Sequence, residues 1–267
     1  MKSFFRLTSF GVGLTLSGLA LPTLAQNQAP VLDSMSDTWV ATDGLGRSIS
    51  QAGQGGVPAP RQNKTVILFY YIWHGFHDPI GPNDISKLLA ANPQNPKYGP
   101  PGTFHWWGEP EAGYYRAEDP WVIRRNLSMI ADAGVDAIFF DVTNAFTYPA
   151  TVQAVCEEAR KMRLAGNKTP QIGFVTHAGA ARTQQRLYDD FYAKNLYSEL
   201  WFQWNGKPLI LGEVEAKFED GKEQSAEVKD FFTWRYSWAW DSGEGKWPWL
   251  EKSPQKPNPA PGRAGVN

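Results

Sequence analysis

A single cysteine, Cys156, is all that the 267 residues contain, so no intrachain disulfide can form and the fold must be held by its own core. It lies in Ala154-Val155-Cys156-Glu157-Glu158-Ala159, a helical pattern in which a buried structural thiol is the ordinary reading, with no neighbour placed to activate it. Charge of one sign is scarce as well. The 26 Lys and Arg balance 27 Asp and Glu without a long run of either, so no nucleic-acid or anionic-membrane partner is expected. Apolar runs are short: Phe10 to Leu21 spans about a dozen residues, below the ~18 that a membrane helix needs. There is no Gly-x-Ser-x-Gly elbow, which disfavours acyl transfer, and no glycine-rich phosphate loop after the first strand. No cofactor is expected.

The short run has the marks of a cleavable signal. Lys2 and Arg6 precede it, Pro22 ends it, and Thr23-Leu24-Ala25 places small side chains where a signal peptidase reads, which predicts cleavage before Gln26. A buried N-terminal helix would instead show polar positions at helical spacing, and the run has none. The expectation is a secreted or periplasmic protein with a signal peptide over 1–25 and no membrane contact once it is removed. Residues 26–64, rich in Gly, Gln, Pro and Ser, read as an extended leader, and roughly 240 mature residues suffice for one sizeable domain.

Aromatic residues are abundant: 12 Trp, 10 Tyr and 15 Phe, many beside Gly, His, Asn, Asp and Glu rather than inside apolar runs. Such rings can pack on the C–H faces of sugars while neighbouring carboxylates and amides bind hydroxyls; a Trp-rich core is the alternative. Thr65 to Trp73 is a continuous apolar and β-branched run that predicts a strand buried on both faces. A Pro- and Gly-laden insert without regular structure is expected from Phe76 to Pro120. Then come a helix from Pro120, capped by Asp119 and stopped at Gly134, a strand over Val135–Phe140, a helix over Pro149–Leu164, and a strand over Gln171–Thr176. A helix over Ala181–Ala193, an Asn205-Gly206 turn into a strand ending at Leu211, and a strand over Phe231–Trp238 follow. This alternation predicts a parallel α/β sheet, and the polar or aromatic strand ends (His74, Asp141 with Asn144, His177, Glu213, Arg235) favour a (β/α)8 TIM-type barrel, incomplete here at about five strands. That domain would cover 65–250, with 251–267 a Pro-rich tail or interrupted loop.

The most unusual local feature is His105-Trp106-Trp107-Gly108-Glu109-Pro110-Glu111, with two carboxylates beside stacking aromatics, although spacing along a loop does not set the separation in space that a hydrolytic pair needs. Asp141 ends an otherwise apolar strand, so it faces a site, joins a salt bridge or caps the next segment. His74 and His77 could suggest a metal, but no third ligand is specified and none is expected.

Together, Phe69-Tyr-Tyr-Ile-Trp-His-Gly75, the segment His105 to Glu111, and Gly134-Val-Asp-Ala-Ile-Phe-Phe-Asp-Val-Thr-Asn144 resemble the glycoside hydrolase family 71/99-like group of exported bacterial proteins, from about Asp37 to Leu250. The resemblance implies a barrel and hydrolysis of glycosidic bonds in a poly- or oligosaccharide. It also implies catalytic carboxylates on a late Asn-Glu-Trp type motif, which these residues lack, so the chain is expected to be a truncated or inactive copy, or a non-catalytic carbohydrate-binding protein. Asp141 and Glu109 are the expected catalytic carboxylates, and Trp73, His74, His105, Trp107, Glu111, Asn144, His177 and Arg235 the expected substrate-binding residues. A metal-dependent hydrolase using His74, His77 and Asp141 is a further alternative.

Overall fold

The structure, a computed structural model, describes residues 41–50, 55, 64–75, 83–101, 103–239 and 243–249. The expected signal peptide, most of the leader, His77 and the Pro-rich tail lie outside the described residues. In the leader, β1 (Ala41–Thr42) and β2 (Ser48–Ile49) form a small antiparallel hairpin. The first strand of the main sheet, β3 (Ile67–Tyr70), is shorter than the apolar run that contains it.

The insert after β3 has regular structure of its own, contrary to expectation. Its strands β4 (Asn83–Asp84) and β5 (His105–Trp106) pair in parallel and enclose α1 (Ile85–Ala91). Asp84 holds this unit together, accepting from the Lys87 amide at 3.1 Å to cap α1 and from the Tyr114 hydroxyl at 2.5 Å. Proline and glycine density hid these short elements, because each draws its stability from the other two.

The chain then alternates through α2 (Pro120–Asp132), β6 (Ala137–Val142), α3 (Pro149–Leu164) and β7 (Gln171–Thr176). Local signals account for the bounds. Asp119 accepts from the amides of Trp121 and Val122, and Gly134 and Gly166, at φ +77° and +87°, let the chain leave α2 and α3. Next come α4 (Ala180–Leu187), which runs into a π-helical turn at Tyr188–Tyr192, then β8 (Gln203–Trp204) and β9 (Lys207–Leu211). Asn205 and Gly206 join the last two with φ values of +54° and +79°, as a two-residue hairpin requires. A helix, α5 (Ala226–Phe231), capped by Ser225, precedes β10 (Thr233–Arg235) and takes residues expected as strand.

Five strands run in the order β3-β6-β7-β9-β10 through four parallel pairings, and β8 joins β9 antiparallel. The order never reverses, unlike a doubly wound sheet, whose strand order changes direction at a switch point. Among the described residues the sheet is open, with β3 at one end, so the expectation of a first strand buried on both faces is corrected: Leu68, Phe69 and Tyr71 are 43%, 38% and 50% exposed. The chemistry of the run suited an interior strand, but its place in the sheet is at an edge.

Alternation along the strands makes two cores. Ile138, Phe140, Val142, Ile172, Phe174 and Ile210 face the helices, where Ile123, Leu127, Val152, Val155 and the buried Cys156 meet them. Ala137, Phe139, Val175, Leu209 and Leu211 face the other way, under Trp247. Burial pushes the Cys156 thiol well above its ordinary range, so it remains protonated packing material. No helix among the described residues is long and apolar enough to cross a membrane.

Candidate functional site

The face opposite the helices carries the strand-end groups. Through the sheet, the register pairs Asp141 with Val175, Val175 with Leu211, and Leu211 with Arg235, one row across four strands. Asp141 and Arg235 are therefore the polar ends of an apolar floor roughly three strand spacings, or ~14 Å, wide. Two residues further on, the same alternation brings His177 and Glu213 to the rim above Val175 and Leu211. Gly212 still donates to the Arg235 carbonyl at 2.8 Å, so β9 stays on the ladder up to that rim.

Asp141 is half-buried and its Oδ1 accepts from the Thr143 amide at 3.0 Å and hydroxyl at 2.7 Å. The loop it begins is tightly wired: Asn144 donates to the Tyr148 hydroxyl at 2.6 Å, and the Ala178 amide donates to the Thr143 carbonyl at 2.8 Å. Ala145 and Tyr148 both adopt positive φ, +68° and +45°, conformations that bulky L-residues avoid and that cluster at functional sites. Burial first, and the Asp141 charge after it, raise the Tyr148 phenol above its usual range, so it remains a hydroxyl beside the carboxylate.

An unbroken line of ring contacts starts on this face and passes round the end of β3 to the helix side. The His177 imidazole lies on Trp238, Trp238 meets Trp249 edge-on at 6.0 Å, and Trp249 meets Phe69 at 6.5 Å. Phe69 contacts Tyr71 at 5.4 Å, Tyr71 contacts Trp73 at 5.5 Å, and Trp73 stacks on both His74 and Trp106. Trp106 thereby seats the insert on the carboxyl end of β3. Beside that strand, a cavity of about 200 Å³ opens between Tyr70, Tyr71 and His74 and, on its far side, Tyr115, Ile123 and Asn126. Burial lowers the proton affinity of His74, favouring the neutral imidazole there.

Not all the expected residues meet. Trp73, His74, Asp141, His177 and Arg235 border the line or the floor, and exposed Asn144 lies on the Asp141 loop. The insert's residues are held elsewhere: His105 Nε2 contacts the Tyr98 carbonyl at 2.8 Å, Glu109 pairs with Lys87 at 3.3 Å, and Glu111 pairs with Arg125 of α2 at 2.6 Å. Trp107 is 80% exposed. Among the described residues no group of three or more His, Cys, Asp or Glu is placed to hold a metal, and His77 lies outside them. Sequence reasoning passed over Trp249 as a ring platform, and left Glu213 out of the site although it stands at a strand end as Asp141 and His177 do.

No protein-family model matches the chain, and no curated protein matches it. Solved structures do. A GH99 endo-alpha-mannosidase from Bacteroides thetaiotaomicron, in complex with BIS-TRIS-propane, is 20% identical with a TM-score of 0.35, over 55% of this chain and 40% of that one. A second structure of the GH99 endo-alpha-mannosidase from that organism is 18% identical with a TM-score of 0.41, over 64% of this chain and 55% of the other. The chain thus spans about half the length of these structures or less.

Proposed function

We propose that this protein is an exported glycoside hydrolase acting on a poly- or oligosaccharide, with its sheet forming the arc of a (β/α)8 barrel. The observation that carries this reading is the line of rings from His177 to Tyr71 along the face that holds Asp141, continued past the end of β3 by Trp73 and His74. Rings offer flat apolar faces to successive sugars, and carboxylate, imidazole and amide groups beside them bind hydroxyls. In this reading Asp141 supplies one carboxylate of the reaction, while Trp73, His74, Asn144, His177 and Arg235 line the sugar sites. Glu109, with Glu111, His105 and Trp107, belongs to the insert seated over the end of β3, where it reaches the chemistry only by leaving Lys87.

A second reading, a non-catalytic carbohydrate-binding protein, is favoured by one observation: the two glutamates of Glu109-Pro110-Glu111 are each paired with a cation, Glu109 with Lys87 and Glu111 with Arg125. The full chain incubated with a panel of plant, fungal and bacterial polysaccharides separates the two. Release of new reducing ends, lost in Asp141→Asn, supports the hydrolase; retention of a polysaccharide on the protein without any release supports the binder.

A further inference from the structure

The second carboxylate of the proposed reaction is open, because Glu109 is held by Lys87 on the insert. Glu213 differs from every other described glutamate. The other carboxylates are engaged, among them Glu158 by Arg124 and Lys161, Glu199 by Arg160, Glu215 and Glu223 by Lys229, and Glu227 by the Tyr188 hydroxyl. Glu213 has neither a hydrogen bond nor an ion pair on its carboxylate among the described residues, and it stands exposed at the rim of the Asp141 face.

Its backbone, by contrast, is firmly held. Gln184 of α4 donates to the Glu213 carbonyl at 3.4 Å and to Thr176 Oγ1 at 2.9 Å, and Gln224 donates to Gln184 Oε1 at 2.6 Å, all in a buried cluster. Gly212 makes room for it, since a Cβ there would lie within 3.0 Å of both Thr176 Oγ1 and Gln184 Nε2. A polar network is thus assembled behind a strand end whose one outward group is an unengaged carboxylate. From Asp141, Glu213 is two strands away and two residues further along, so their Cα atoms are roughly 12 Å apart. Side chains reaching towards each other close that gap to the ~5 to 9.5 Å between the carboxyl groups of glycosidase pairs.

We infer that Glu213 is the general acid of this site, acting opposite Asp141. The inference rests on the hydrolase reading above. Glu213 gives its proton to the glycosidic oxygen as the bond from that oxygen to the anomeric carbon breaks, the electron pair staying on the oxygen. Asp141 faces the carbon as a carboxylate. One water is consumed: its oxygen bonds to the anomeric carbon and its proton restores the acid. Gln184 acts as a positioning residue through the Glu213 carbonyl.

The test compares two substrates on the full chain: a polysaccharide that the wild type cuts, and the 2,4-dinitrophenyl glycoside of a disaccharide released from it, whose leaving group departs without protonation. Glu213→Gln should cut turnover of the polysaccharide by ~10²- to 10³-fold, within the range for loss of a general acid. It should keep the dinitrophenyl substrate within about tenfold, and lose the alkaline limb of the kcat/KM profile. Glu213→Asp should fall between wild type and Glu213→Gln on the polysaccharide, and Glu215→Gln, two residues on, should match wild type on both. Equal losses on the two substrates, or no loss, overturn the assignment while the hydrolase reading stands. A wild type that releases no reducing ends from any polysaccharide overturns both.

Discussion

The imidazole of His177 lies flat against the indole of Trp238, with ring centroids 3.6 Å apart and 5° between the planes. His177 follows β7 and Trp238 follows β10, with β9 between those strands in the sheet, so the two rings lean together across the end of β9. This stack is one end of the line of rings that reaches His74.

Removing the platform should weaken carbohydrate binding more than it weakens the fold. A face-to-face aromatic pair is worth ~0.5–1.5 kcal/mol beyond its buried area, and a sugar stacked on the same surface draws on it too. Trp238→Ala is expected to raise the dissociation constant for an oligosaccharide about tenfold, equivalent to ~1.4 kcal/mol, as read by titration calorimetry. An unchanged constant would mean that the rings serve packing alone.

Gly173 is required by Phe139. A Cβ on Gly173 would lie within 3.0 Å of three atoms of the Phe139 ring, which fills the sheet face at that point. Gly173→Ala is expected to lower the unfolding free energy by ~1–3 kcal/mol, the usual cost of overpacking. Urea titration measures it, and adding Phe139→Leu should recover part of the loss. Full stability of the single variant would refute the contact.

For His74, burial favours the neutral imidazole, so the unfolded chain binds more protons at this position than the native one. The contribution of His74 to stability is complete above the ordinary value of 6.5 and is lost as pH falls through it towards the lower folded value. Denaturation midpoints taken at pH 7.5 and 5.5 should show a larger drop in the wild type than in His74→Gln. Equal drops would place the acid sensitivity elsewhere.

Asp141→Asn should leave the fold intact, because an amide oxygen can still accept from the Thr143 amide and hydroxyl. Turnover is expected to fall by ~10²-fold or more, the scale for loss of a catalytic acid or base, while affinity changes little. A variant that keeps its rate would remove Asp141 from the reaction.

Much of the framework was legible in the chain. Asp119 before Pro120, Pro149, Gly134 and Gly166 are local punctuation, and α2 and α3 begin and end where those residues put them. Asn205-Gly206 likewise marked the hairpin into β9. The insert resisted reading because α1, β4 and β5 are short and hold one another, with Asp84 as the shared partner. α5 was hidden by the aromatic run Phe231-Phe232, although Ser225 marks its start.

What the sequence by itself determined was the alternation of strand and helix and the polar groups at the strand ends, because capping, turn chemistry and apolar periodicity act over a few residues. Only the tertiary structure decided that β3 is an edge among the described residues, that Glu109 and Glu111 answer to Lys87 and Arg125, and that His177 meets Trp238. Those outcomes depend on strand order and register, which bring together residues dozens of positions apart and leave no trace in local spacing.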